Sequence, residues 1–186
     1  TKVMLDREMD RALEEGVRNS GDTLNYTEVA SGGVQDSCEI YHTLRVPRGG
    51  EYTLVLADGT TVYLNAESEL RFPKQFRGKN RKVYLTGEGY FDVQRNEKQP
   101  FIVEAQQVEI RVLGTSFGVR AYTKEENVLT TLIQGRVNVE ADGQQVELNP
   151  GQQADYNRGN DRLTVAEVDV EQYVGWKDGR LVFDNK

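Results

Sequence analysis

Between Thr61 and Phe72 the chain alternates with a period of two. Val62, Leu64, Ala66, Ser68, Leu70 and Phe72 make one mostly apolar set, and Thr61, Tyr63, Asn65, Glu67, Glu69 and Arg71 make a polar one. A helix would scatter both sets around its circumference. An extended strand sends them to opposite faces, so this stretch is a half-buried strand, or two strands round a bend. Pro73 ends it, because proline cannot donate to a strand ladder. Upstream, Tyr52, Leu54 and Leu56 alternate with Glu51, Thr53 and Val55 before Asp58-Gly59, a strong hairpin signal.

Two phrases recur. "ADGTTVYLN" at Ala57–Asn65 returns as "ADGQQVELN" at Ala141–Asn149. In each copy A-D-G is expected to turn a hairpin through Asp58-Gly59 or Asp142-Gly143. Val62/Leu64 and Val146/Leu148 then point inward, and Asn65 and Asn149 close the next turn through their side-chain amides. The second phrase places a glycine before an inward Φ-x-V pair: Gly87 before Phe91/Val93, Gly114 before Phe117/Val119, and Gly135 before Val137/Val139. Glycine there supplies a bend or a positive φ. Gly49, Gly50 and Gly151 complete the set of structural-motif positions. Short strands opened by glycine at roughly 20–25-residue spacings read as stacked turns of β-structure, in which each turn completes its neighbour's core. The expected fold is all-β, a twisted β-solenoid or β-roll-like body of short stacked strands, with a β-sandwich as the alternative.

The two ends read differently. Over Lys2–Val17, Leu5, Met9, Leu13 and Val17 repeat at a spacing of four with acidic and basic residues between them, which predicts an amphipathic helix, docked on the body or else coiled with or bound to a partner. At the other end, "YVGWKDGRLVFDNK" carries Trp176, Leu181, Val182 and Phe183 with little chain after them to cover them. They either pack back onto the body or begin a segment whose partner domain lies elsewhere; exposed apolar groups of this size mark an interface. The expected organisation is an N-terminal helix and linker at 1–43, a β-domain at 44–172, and the start of a connector at 173–186.

The chain's 186 residues suffice for one sizeable core without disulfide staples, and the single Cys38 cannot form an intramolecular one. With 30 acidic against 23 basic residues the net charge is −7, which argues against a nucleic-acid partner. No apolar run approaches the ~18 residues of a membrane helix, and "TKVMLDREMD" has no signal-peptide character. The one basic cluster, "RGKNRK", reads as a solvated loop, or as a contact for an acidic partner through Arg77, Lys79 and Arg81.

Candidate chemistry is sparse. One histidine, His42, and one cysteine supply neither a nucleophile–base pair nor a zinc ligand set. Glu67 and Glu69 share a strand face in this reading, at a rise of roughly 7 Å suited to an inverting carboxylate pair, but the face looks solvent-exposed. "GEG" at Gly87–Gly89 has Asp92 where a dinucleotide fingerprint needs its third glycine. Asn25-Tyr26-Thr27 is a formal glycosylation sequon. No catalytic residue, metal or cofactor is expected. A carbohydrate-binding module, the rival class, would need exposed aromatics, for which Tyr63, Tyr84 and Tyr90 are the candidates.

One family carries many of these phrases in order. "VPRGGEYTLVLADGTTVYLNAESELRFP" (Val46–Pro73), "RKVYLTGEGYFDV" (Arg81–Val93), "PFIVEA" (Pro100–Ala105), "VLGTSFGVRAY" (Val112–Tyr122), "TTLIQGRVNV" (Thr130–Val139) and "LNPGQQA" (Leu148–Ala154) resemble the periplasmic region of FecR-type anti-sigma factors, the Bacteroidetes branch in particular. The resemblance runs from about Leu44 to Phe183. It implies a solenoid-like β-domain without catalytic residues, excised from a longer single-pass inner-membrane protein. Such a protein has a cytoplasmic anti-sigma segment, one membrane helix, this domain in the periplasm, and a small C-terminal α/β domain. The implied partners are the signalling domain of a TonB-dependent outer-membrane transporter, the chain's own C-terminal domain, and an extracytoplasmic-function sigma factor bound through the cytoplasmic segment. Neither nucleic acid nor membrane contact is implied for this segment itself.

Overall fold

The computed structural model describes residues 2–4, 18–27 and 39–178 of the chain. Sixteen strands, numbered in chain order, fall among the described residues. One sheet contains β1 (Lys2–Met4), β4 (Tyr41–Arg45), β7 (Glu69–Pro73), the first half of β8 (Arg81–Asp92), β9 (Phe101–Ala105), β10 (Val108–Val112), β13 (Val137–Ala141) and β14 (Gln144–Leu148). The other contains β2 (Arg18–Ser20), β3 (Thr23–Asn25), β5 (Tyr52–Val55), β6 (Thr61–Leu64), the second half of β8, β11 (Ser116–Ala121), β12 (Asn127–Gln134), β15 (Gln152–Asn157) and β16 (Arg162–Glu167).

Within each sheet the strands lie side by side in the order in which the chain makes them. The chain lays a hairpin on one sheet, crosses, lays a hairpin on the other, and crosses back. The all-β expectation is met, and the stacked turns are built from hairpins that together form a nearly closed, barrel-like sheet.

Strand β8 joins the two halves. Its first part pairs with β7 and β9, and its second part with β6 and β11. The change of sheet falls at Gly87, with φ +101°. A Cβ on Gly87 would sit 2.6 Å from Ser68 Cα, so backbone conformation and close approach both require glycine there. Ser68 Oγ accepts from Glu88 N and pins the crossing.

The three glycine-opened pairs behave as their spacing predicts: Phe91/Val93, Phe117/Val119 and Val137/Val139 are all buried. Phe91 stacks on Phe117 with ring centroids 5.2 Å apart and meets Phe101 at 6.3 Å, which joins the two sheets in one apolar core. The alternation at 61–72 is likewise two strands round a bend, β6 and β7. Glu67 occupies that bend with φ +57°, so Glu67 and Glu69 do not share a strand face and the carboxylate pair is not formed.

The repeated A-D-G phrase makes two different turns. Asp142 and Gly143 (φ +45° and +73°) form a two-residue hairpin between paired Ala141 and Gln144, the geometry that matches strand twist. At the first copy, paired Val55 and Thr61 enclose a longer loop. Asp58 there accepts from Thr60 N at 3.0 Å and Thr60 Oγ1 at 2.8 Å. Asn65 closes its turn as expected, accepting from Ala66 N and donating to Glu88. Asn149 instead uses its main chain, which bonds Gln152 through N and O, because the Gln152 side chain reaches back to fill the role of the amide.

The N-terminus differs from expectation. Lys2–Met4 form a strand that pairs in parallel with β4, not the first turn of a helix. The main-chain groups of the β4 edge satisfy these residues cooperatively, and a short helical turn cannot compete with that. Residues 5–17 of the predicted helix lie outside the described residues, as does Cys38.

Candidate partner interface

Past β16 the chain folds back across the outside of the second sheet as a strap, made of α1 (Glu171–Val174) and a 3₁₀ turn at Gly175–Asp178. Val168 N donates to Gly151 O at 2.9 Å as it leaves the sheet. Val174 is only 4% exposed and rests on Gly118 of β11, where a Cβ would come within 2.8 Å of Val174 Cγ1. Further on, Lys177 Nζ lies 4.9 Å from the ring centroid of Tyr90 and 6.0 Å from that of Tyr63. Those rings sit edge to face, 5.9 Å apart, on register-paired residues of β8 and β6. Burial pushes the Tyr90 phenol above its ordinary value. The strap thus runs from β16 back over β11 to β8 and β6, held by one apolar notch and one cation over two aromatic rings.

Trp176 is half-buried in this strap, so the tail packs back on the body as far as Asp178; Leu181 and Phe183 lie outside the described residues. A glycine inside the strand phrase "GTSFGV" signals close approach of another backbone or side chain, and Gly118 could have been read that way from sequence. The Lys177 contact has no such signal.

The basic cluster divides. Arg77 and Lys79 are exposed. Arg81, grouped with them as partner-facing, is 1% exposed and faces inward. Its Nη1 donates to Asp58 Oδ2 at 2.7 Å and Gln94 O at 2.8 Å, and its Nε donates to Gln99 O at 2.8 Å. Its guanidinium lies 5.4 Å from the Phe101 ring. As the first residue of β8, Arg81 obeys the strand alternation and turns into the gap between the Asp58 hairpin and the loop before β9. Asp58 is therefore the counter-ion of a buried arginine as well as a turn residue.

The aromatic candidates for a sugar platform already carry cations. Arg71 lies 5.1 Å from Tyr84 and 4.3 Å from Tyr41, and Lys177 covers Tyr63 and Tyr90.

One carboxylate is deeply placed. Glu88 is 7% exposed at the floor of a cleft of about 450 Å³. Its Oε2 accepts from Asn65 Nδ2 at 2.9 Å and more distantly from Arg120 Nη1 at 3.4 Å. Burial raises its pKa, and the Asn65 bond and Arg120 oppose that shift. His42 is 4% exposed, packed edge-on against Tyr26 and Phe72, with its Nδ1 2.9 Å from the Tyr26 hydroxyl. It is a core histidine. Asn25 of the formal sequon turns its side-chain oxygen onto Thr27 N and Oγ1. Among the described residues no group of three or more His, Cys, Asp or Glu is placed to hold a metal ion, and no helix is long and apolar enough to cross a membrane.

The model of the family described as "FecR protein" matches residues 42–138, from β4 to the start of β13. The chain belongs to the FecR family. Two crystal structures from Parabacteroides distasonis ATCC 8503, both described as candidate anti-sigma factors, share the fold of this FecR protein. One has a TM-score of 0.75 and 33% identity over 78% of this chain and 68% of its own. The other has a TM-score of 0.73 and 34% identity over 76% of this chain and 67% of its own. The FecR chain thus spans about two thirds of the length of each. No curated protein matches it. Family and neighbours together give it a regulatory, anti-sigma-factor signalling role. Within it, the family match is centred on the shared strand β8 and stops short of the strap.

Proposed function

We propose that this FecR domain is the periplasmic signalling part of a single-pass inner-membrane anti-sigma factor. It relays a signal from a TonB-dependent outer-membrane transporter to an extracytoplasmic-function sigma factor through protein contacts alone. The observation that carries this reading is the strap. The β body carries a short C-terminal strap fastened through Val174 on Gly118 and Lys177 on Tyr90 and Tyr63, an attachment small enough beside the core to be released. A C-terminal domain following the strap would be presented to the transporter's signalling domain by that attachment.

The test is a titration of the full periplasmic region with the transporter's signalling domain, comparing the parent chain with a deletion of Tyr173–Lys186 and with Lys177→Glu. The deletion is expected to abolish binding, and the charge reversal to weaken it. Undiminished binding by the deletion variant would remove the strap from the mechanism. Calorimetry with a glycan panel addresses the rival carbohydrate-binding reading, for which no heat is expected.

A further inference from the structure

Three successive crossings between the sheets stack along one edge of the body. They are the loop after β8, the β10–β11 link at Leu113–Thr115, and the β12–β13 link at Gly135–Arg136. Val93 N donates to Thr115 O at 3.0 Å, Asn96 N to Leu113 O at 2.8 Å, and Thr115 Oγ1 to Arg136 O at 2.9 Å, which ties the crossings in sequence. Gly114 and Gly135, two of the recurring glycines, allow this stacking. A Cβ on Gly114 would meet Arg95 Cα at 2.6 Å, and one on Gly135 would meet Thr115 Oγ1 at 2.8 Å. What the stacked corners leave is a cleft of about 540 Å³.

Three arginines line that cleft: Arg95 in the loop after β8, Arg111 on β10 just before its crossing, and Arg136 in the β12–β13 link. Their side chains are 78%, 48% and 79% exposed. Leu113, at 44% one of the few exposed large apolar residues described, forms the lip. Glu147 is the one acidic residue lining the cleft, and with Glu97 and Glu109 beside the rim the three arginines are balanced by three carboxylates, in a chain of net −7. Each arginine has an acidic neighbour, Glu97, Glu109 or Glu147, in a solvent-exposed pair. Exposed pairs of this kind are weak and exchange readily for a better-placed carboxylate. The exposed loop with Arg77 and Lys79 adjoins the same edge, because Gln99 Nε2 donates to Gly78 O at 2.7 Å.

We propose that this arginine-rimmed corner cleft is a docking site for an acidic, extended segment of a partner protein, with carboxylates on Arg95, Arg111 and Arg136 and an apolar side chain against Leu113. Guanidiniums that can trade an exposed glutamate for a partner's carboxylate, with Arg77 and Lys79 exposed on the adjoining loop, set the sign of the occupant. The stacking of three successive crossings sets its shape, since corners in a row present a line of contacts and do not enclose a small anion. This site is separate from the strap, and the inference stands whether or not the strap carries the transporter signal.

The probe is a synthetic peptide, Asp-Leu-Glu-Leu-Asp, titrated into the full chain at low salt and followed by amide NMR shifts. Its controls are Lys-Leu-Lys-Leu-Lys and citrate. Saturable shifts at Leu113, Gly114 and Gly135 are expected for the acidic peptide, and none for the basic one. Arg95→Glu/Arg136→Glu is expected to weaken binding about tenfold or more. Leu113→Ser, which keeps every charge, is expected to weaken it less. The proposal is overturned if the acidic peptide produces no shifts, if citrate alone reproduces them, or if the charge-reversed chain binds unchanged with its melting curve intact. Loss of transporter binding on strap deletion, with this peptide still bound, leaves the corner cleft standing.

Discussion

Arg81 and Glu88 are two charged residues of the same strand, buried for different reasons. Arg81 is surrounded by acceptors: the Asp58 carboxylate and the carbonyls of Gln94 and Gln99. Removing its guanidinium leaves a nearly enclosed Asp58 carboxylate with Thr60 as donor but no counter-ion, and takes the arginine donor from two carbonyls. Arg81→Met is therefore expected to cost about 3 kcal/mol or more, read from the shift in the urea midpoint. Combining it with Asp58→Asn should return part of that loss, because the stranded charge is then gone. A single-variant loss below about 1 kcal/mol would show that Arg81 is not the bolt between the Asp58 hairpin and the β9 loop. Sequence placed Arg81 in a basic run on the surface, since "RGKNRK" reads as one exposed loop. Only the start of β8 at its fifth residue turns that side chain inward.

At the scale of elements, hairpins and strap differ in what holds them. Hairpins carry their own signals: the period of two, the A-D-G turns, and the glycines before Φ-x-V pairs. All of these were legible because they follow from backbone sterics and strand alternation. The strap has no periodicity and is defined by what it touches. Gly118→Val keeps a residue type that strands favour but fills the notch under Val174. The substitution is expected to lift the strap while the body stays folded. Faster tryptic cleavage after Lys177 and a red-shifted emission from Trp176, the chain's single tryptophan, would report it. Unchanged cleavage and emission would mean that the strap does not depend on that notch. The predicted N-terminal helix failed at Lys2–Met4 for the converse reason: an open strand edge was available nearby, and nothing in the local pattern announced it.

On the scale of the whole molecule, β8 makes the two sheets one cooperative unit. Its halves belong to different sheets, its side chains enter a single core, and Gly87 allows no slack at the change of sheet. Unfolding followed by circular dichroism is expected to be one transition, with Trp176 fluorescence changing at or before it as the strap releases. Two separate circular-dichroism transitions would mean that the sheets fold independently, and the shared strand would lose its role. A body that unfolds as one unit would be a firm support for the strap it carries.

By itself the sequence determined the all-β class, the two A-D-G hairpins and the inward pairs, because alternation, turn chemistry and glycine tolerance act over a few residues, and its ordered phrases carried the family resemblance. Tertiary structure alone decided which sheet each half of β8 joins, that Arg81 is buried, that identical A-D-G words make unlike turns, and that a strap crosses the second sheet. These outcomes depend on contacts between residues far apart in the chain, where the partner's identity outweighs any local preference.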